Sequence, residues 1–564
     1  SEFLLYGSMS DQVGGEFWES GDPISDVECR AAASCSHIYG RTDVYAEAFT
    51  SNRSFEQSPA SFKNWCDWIY GTGVNHHILH VNIHQPDERK PGITAWFGTA
   101  FNRHNTWFEP SKAFIDYTRR NSVLLKAGLP VIDVAYYIGE NAPSMEGPRD
   151  PALPDGYDFD HINSDVLIHR AKVVDGRITV PNGPSYAVLV LPKQSVMRPE
   201  VADAIRRLVR DGASVIGPKP ASSPSLAGFP RCDREVAAIA EDVWGPVDGQ
   251  KAVTRTFGKG TIHHGAELDK VLADLRVQTD VQVLSGKPLI CAAAGAGKIG
   301  IGKKGGIVFK HRSTPDREIY FLSNTSDQPV EFTASLRTTG RQPELWNADN
   351  GSIATAAAFT QRDGRTLVPL RLAATESIYI VLGKAIRPDA AGTAVSNSPE
   401  FKTVATLSAP WTVRFDGQGA PKETVFQSLT DWAKHPDETI RHYSGTAVYD
   451  TDFTLAEPAK NQRTLLALGE VSVIATVIVN GREAGTAWTT PWEMDISNFV
   501  NAGRNTLRIR VANSWHNRLF ADAALPPDQR RTYASQPYRT PKNKPLQCSG
   551  LLGPVRIMRS TVAR

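Results

Sequence analysis

Four glutamates in aromatic company stand out for their chemistry: Glu16 in GGEFWES, Glu47 in YAEAFTS, Glu109 in FNRHNTWFEP and Glu140 in AYYIGENAP. Each falls at or just beyond an expected strand, or in a long loop. Cleaving a glycosidic bond takes two carboxyl groups, one protonated to act as acid and one ionised to attack or to activate water. Apolar surroundings keep the first protonated, and aromatic rings stack on sugar faces. The plain alternative for any one of them is a salt-bridged or capping carboxylate. Four such settings within 125 residues favour the chemistry.

Histidines form a second cluster: His76, His77, His80 and His84 in NHHILHVNIHQP, then His104. On one strand, positions 76, 80 and 84 share a face with Ile78 and Asn82. Such a row contacts sugar hydroxyls, braces the scaffold or binds a metal, although no HExxH spacing supports zinc. The stretch TAFNRHNTWFEP packs Asn102, Arg103, His104, Asn105, Trp107 and Glu109 into eight residues. So many polar groups are costly to bury as mere packing. They fit a polyol ligand, or else a solvated loop. No GxSxG elbow is present. GAGKIGIGKKGG (295–306) places Ile299 after Lys298, where a phosphate loop needs Ser or Thr, and so reads as a linker.

The elements that must position these residues begin as α/β. Helices are expected over 23–40, over 58–73 with Ser58 as N-cap and Pro59 at N1, and over 110–128. Strands are expected over 42–49, 74–85 and 130–141. The rhythm means parallel strands with crossover helices, and long loops after strand ends suit the active face of a (β/α)8 barrel. About three βα units are present where a barrel needs eight. Residues 1–140 are therefore expected to be the C-terminal part of a catalytic barrel belonging to a longer protein, with a small complete α/β domain as the alternative. Residues 141–300 read as a flavodoxin-like α/β layer, with SYAVLVLP as a buried strand. Residues 301–387 read as a β-sandwich. An Ala-, Ser- and Pro-rich linker leads to a jelly roll over 404–564, with a hairpin turn at Asn480-Gly481.

Composition is that of an ordinary globular protein, 41% hydrophobic and 22% charged, with a net charge of +2. That balance points to neither nucleic acid nor an anionic membrane. The six cysteines are scattered, with no zinc spacing, and read as buried thiols with room for one disulfide at most. No stretch of about 18 apolar residues offers a membrane span.

FNRHNTWFEP, SCSHIYGRTDVYAEAFTS, VNHHILHVNIHQP and DVAYYIGENAP together resemble glycoside hydrolase family 106, the α-L-rhamnosidases. GRQPELWNADNG and HYSGTAVYDTDF resemble that family's downstream β domains, the last being galactose-binding-like. The resemblance implies an inverting exo-hydrolase of terminal α-L-rhamnose, a carbohydrate substrate, a calcium ion (Ca2+) near the site, and a periplasmic or secreted bacterial location. By motif the family's glutamates fall on Glu16, Glu109 and Glu140. The expected acid and base are Glu16 and Glu140, with roles open and carboxyls about 6.5–9.5 Å apart. Glu47 is a further catalytic candidate. Glu109, His80, His84, Asn102, His104 and Trp107 are expected to hold sugar, and metal ligands stay unassigned. The alternatives are a non-catalytic carbohydrate-binding fragment, using Trp488, Trp492 and Trp515 of the jelly roll, or an exo-glycosidase of the β-galactosidase type.

Overall fold

The computed structural model describes residues 2–20, 26–53, 55–141, 144–251, 253–287, 289–295, 306–408, 410–417, 422–536 and 545–561. Most of the glycine-rich stretch 295–306 lies outside the described residues.

Three parallel strands open the fold: β1 (Val13–Ser20), β2 (Val44–Ser51) and β3 (His76–Leu79). Helices Val27–Ile38 and Pro59–Thr72 make the crossovers, and helix Lys112–Leu125 follows β3. The second helix starts as its sequence dictates. Ser58 and Ser61 form a capping box, Pro59 sits in the first turn, and Gly73 stops it at φ +115°. One face of the sheet carries Val44, Ala46 and Ala48, all buried in the main core. The other face carries Glu16, Glu47 and Ile78 in register.

Two strand expectations are corrected. The expected strand 74–85 ends at Leu79, so His84 lies beyond it in an exposed loop, and no row of His76, His80 and His84 exists. The apolar run of 130–141 does form a strand, Val134–Tyr137, but it pairs with Val188–Val190 and Phe159–Ile162 rather than with β3. It belongs to a six-stranded sheet completed by Ser214–Ile216, Gly260–His263 and the antiparallel edge Thr254–Phe257. β1, not expected as a strand, takes its place in the first sheet.

The central strands of that second sheet are buried on both faces, and only its antiparallel edge Thr254–Phe257 is open. Helix Pro199–Asp211 covers the sheet with Val201, Ala202, Ile205, Leu208 and Val209, one apolar stripe at helical spacing. The β-sandwich follows, with strands Gly306–Ser313, Glu318–Asn324 and Ser377–Ala385 at its centre. Buried charges tie the layers together. Asp158 takes Arg30 at 3.1 Å and Lys310 at 2.7 Å, and Lys63 and Asp67 pair at 2.7 Å beside Ser377 and Ser323. Removing one partner of such a pair costs about 3–5 kcal/mol, because the other charge stays buried.

The C-terminal domain packs a six-stranded and a four-stranded sheet around Trp411, Trp432, Tyr449 and Ile509. Its hairpin turns at Asn480 (φ +51°) and Gly481 (φ +75°), as the Asn-Gly pair requires. Among the described residues no cysteine is in a disulfide: Cys29, Cys35, Cys66, Cys232 and Cys291 are buried, and Cys548 is exposed, against the expectation. Among the described residues no helix is long and apolar enough to cross a membrane.

Candidate active site

Glu16 and Glu47 stand side by side on β1 and β2, in register. Neighbouring strands run about 4.8 Å apart, so the two carboxylates share one patch of the open face. Just beyond them the register shifts: Phe17 pairs with Ala48 and Trp18 with Thr50, leaving Phe49 as the extra residue at φ +70°. A bulge of this kind re-aims a strand end. Phe49 is held in that conformation by Phe17, Phe62, Phe101 and Phe114, whose ring centroids lie 4.5–6.0 Å away.

Aromatic groups surround the pair. The Trp18 indole N–H donates to Glu16 Oε1. His80 Nε2 lies 3.8 Å from Glu47 Oε1, and the Glu47 side chain is 44% exposed. The Phe97 ring lies parallel to both, 6.0 Å from Trp18 and 5.4 Å from His80. Each such stack contributes about 0.5–1.5 kcal/mol beyond buried area. Phe97 and Ile78 leave apolar surface open beside the carboxylates. His77 points the other way, stacked on Tyr70, and burial pushes its imidazole down to about 3, so it stays neutral.

Phe97 arrives on the long loop after β3. Val81 N–H donates to Thr99 O at 2.7 Å and Gly98 N–H to Ser51 O at 2.7 Å, closing the loop onto the sheet. Gly98 has φ +102°, and a Cβ there would lie 2.4 Å from His80 Nδ1, so only glycine lets Phe97 and His80 meet. The C-terminal domain braces the loop's outer side. Tyr533–Ala534 pairs parallel with Pro91–Gly92, Thr94 N–H donates to Ser535 Oγ at 3.0 Å, and Arg89 lies 3.9 Å over the Tyr533 ring.

The other expected site residues go elsewhere. Glu140 follows the strand Val134–Tyr137 of the second sheet. Its side chain is 5% exposed, with one oxygen taken by Arg198 at 2.7 Å and the other by the Tyr137 hydroxyl at 2.5 Å. Trp107 is wholly buried; its ring packs against Phe62 and Phe101 and its N–H donates to Gln57 O, so it offers no face to a sugar. Asn102 caps a turn by accepting from His104 N–H at 2.9 Å. The His104 ring is buried, 3.5 Å from Glu88. Glu109 is 85% exposed at the boundary with the C-terminal domain, 3.9 Å from Arg510. Trp488 is buried against Phe114 and Tyr117, Trp492 packs on the domain's own core, and the Trp515 N–H donates to His104 O at 2.8 Å. Sequence reasoning missed Trp18, Phe97 and Gly98 as site residues. The signal was present: two adjacent aromatics before a glycine, in AWFGTA, inside a polar loop.

Calcium takes six to eight oxygen ligands. Among the described residues no three His, Cys, Asp or Glu side chains come together as a metal site.

Residues 1–361 match the family pattern of glycoside hydrolase 106, described as alpha-L-rhamnosidase. Residues 412–545 match the glycosyl hydrolase 2 galactose-binding domain-like pattern. The fold superposes on a rhamnosidase from Novosphingobium sp. PP1Y with a TM-score of 0.89 and 31% identity, over 99% of this chain and 52% of that one. A Formosa agariphila protein named putative beta-glucuronidase is 24% identical over 799 residues, covering 98% of this chain and 66% of its own length. The chain thus spans about half the length of the rhamnosidase of known structure.

Proposed function

The chain belongs to glycoside hydrolase family 106, and from that premise we propose that its Glu16–Glu47 face is part of the centre of an enzyme removing terminal α-L-rhamnose from glycans or rhamnosides. The observation that carries this reading is the in-register pair of glutamates on one open sheet face, flanked by Trp18, Phe97 and His80. Glu47, more than a third exposed and beside an imidazole, is the proton-handling carboxyl. Glu16, fixed by the indole N–H, is the second charge facing the oxocarbenium-like transition state. Glu140 is left out, because both of its oxygens are engaged within the second sheet. Inversion of the sugar's configuration, and periplasmic or secreted action, are parts of the same proposal. An inverting reaction needs carboxyls about 6.5–9.5 Å apart, wider than the ~4.8 Å between neighbouring strands, so the proposal requires the Glu16 and Glu47 side chains to splay apart to admit the water.

The curated relative's name raises β-glucuronide hydrolysis as a second reading. The two sugars differ where it matters: rhamnose carries a methyl group where a uronic acid carries a carboxylate. Ile78, 49% exposed and in register with Glu47, suits the methyl. A carboxylate on the sugar would meet two glutamates of like charge. The test compares aryl α-L-rhamnoside and aryl β-D-glucuronide hydrolysis by the natural gene product. The expected outcome is a kcat/KM at least ~100-fold higher for the rhamnoside; the opposite ratio rejects the proposal.

A further inference from the structure

A cleft of about 1340 Å³ lies apart from the Glu16–Glu47 face, between the loops of residues 88–109 and the C-terminal domain. Seven arginine and lysine side chains line it against three carboxylates, Glu88, Glu109 and Asp416. The whole chain is nearly balanced, with 62 basic and 60 acidic residues. Part of this local charge is matched: Glu88 holds Arg103 at 2.7 Å, Asp87 holds Arg89 at 2.8 Å, and Asp522 holds Arg518 at 3.0 Å. Arg510 reaches Glu109 only at 3.9 Å. Among the described residues no salt bridge engages Lys90 or Arg530, and the Arg530 Nε donates to a carbonyl, Leu525 O. A concave site lined by one sign of charge concentrates ligands of the opposite sign.

Two further observations narrow the ligand. The hydroxyls of Thr106, Thr439, Ser444, Thr446 and Thr532 sit among the cations; those of Thr106, Thr439 and Thr532 donate within the chain, which leaves their oxygens as acceptors for sugar hydroxyls. The buried His104 ring also lines the cleft, with Nε2 3.5 Å from Glu88 Oε2 at the cleft wall. The loop residues Arg89 and Lys90 that line the cleft belong to the same segment that carries Phe97 to the glutamates.

We propose that this cleft binds an acidic saccharide, a chain bearing carboxylate or sulfate groups. That this chain is the part of the substrate beyond the scissile rhamnose rests on the proposed activity; the binding itself does not. Arginine forks pair with carboxylate or sulfate oxygens, and the hydroxyl-bearing rim reads the sugar.

Calorimetry on the full chain tests it with trigalacturonate, a sulfated disaccharide and neutral maltotriose. The acidic ligands are expected to bind at least about tenfold tighter than maltotriose, and to weaken as salt rises. Lys90→Ala/Arg510→Ala is expected to weaken acidic binding about tenfold while leaving aryl rhamnoside hydrolysis unchanged. Arg530→Ala, on another segment, is a second probe with the same expectation. Whichever acidic ligand binds more tightly identifies the anionic group. Equal affinity for maltotriose, or acidic binding untouched in both variants, overturns the proposal. Acidic binding in a protein that fails on rhamnosides leaves the cleft standing and removes only the proposed activity.

Discussion

The molecule contains two parallel sheets wound with helices, and of the two the three-stranded one leaves a face with carboxylates open. In the six-stranded sheet the central strands Val134–Tyr137, Val188–Val190 and Ser214–Ile216 are buried at every position. Helices and neighbouring layers cover both faces, as a parallel sheet normally requires. In the three-stranded sheet, burial alternates along the first half of β2, with Val44 and Ala46 inside and Tyr45 and Glu47 only half-buried. Its open face carries carboxylates, an imidazole and stacked rings. The same architecture therefore yields a scaffold where both faces are covered, and the proposed site where one face stays open.

The strongest way to break this contrast is at the open face. Glu47→Gln is expected to lower kcat/KM on aryl α-L-rhamnoside about 10³-fold or more without moving the melting temperature. Turnover near that of the unmodified protein would remove Glu47 from the chemistry. Phe97→Ala takes away the ring parallel to Trp18 and His80. It is expected to raise KM about tenfold with kcat changed less; a change in kcat alone would mean that the stack positions no substrate.

The covered sheet supplies the opposite expectation. Glu140→Gln leaves Arg198 without its charge partner, so stability should fall, by about 1 kcal/mol once solvent screening of the 38% exposed Arg198 is allowed for. In denaturant unfolding that appears as an earlier midpoint, with kcat within about threefold. Loss of turnover at unchanged stability would instead return Glu140 to the acid–base pair.

The smallest effect sits on the closed side, where helix Pro59–Thr72 meets the sandwich. Burial pushes Asp349 up to about 6, Lys63 opposing the shift and Asp67 adding to it. A carboxyl raised in this way costs the folded state stability as it ionises. The cost grows from the ordinary carboxylate range near pH ~4 up to about pH 6, and is constant above. Asp349→Asn is expected to raise the melting temperature by about 2–4 °C at pH 8, with the gain vanishing below about pH 4. A gain that persists in acid would place its origin in packing rather than charge.

Much of the fold could be read before any tertiary structure was known. The helix beginning at Ser58 and the hairpin at Asn480-Gly481 follow from caps and turns acting over four or five residues. The strand that carries Glu47 could be read as well, because TDVYAEAF alternates inside and outside positions along its first half. The expected place of Glu140 failed for a clear reason. VIDVAYY is an apolar run that satisfies either sheet, and nothing local says which neighbour it pairs with. The expected histidine row failed because periodicity does not reveal where a strand stops.

By itself the sequence determined which segments bury apolar faces, where helices start and turns close, and which residue types could handle a sugar. Tertiary structure alone decided that Glu16 and Glu47, 31 residues apart, stand in register. It also decided that a bulge at Phe49 turns the strand just beyond them, and that a loop braced by Ser535 brings Phe97 to their side. Caps and periodicities act between neighbours along the chain, whereas register and loop placement are fixed by packing between segments that the sequence holds far apart.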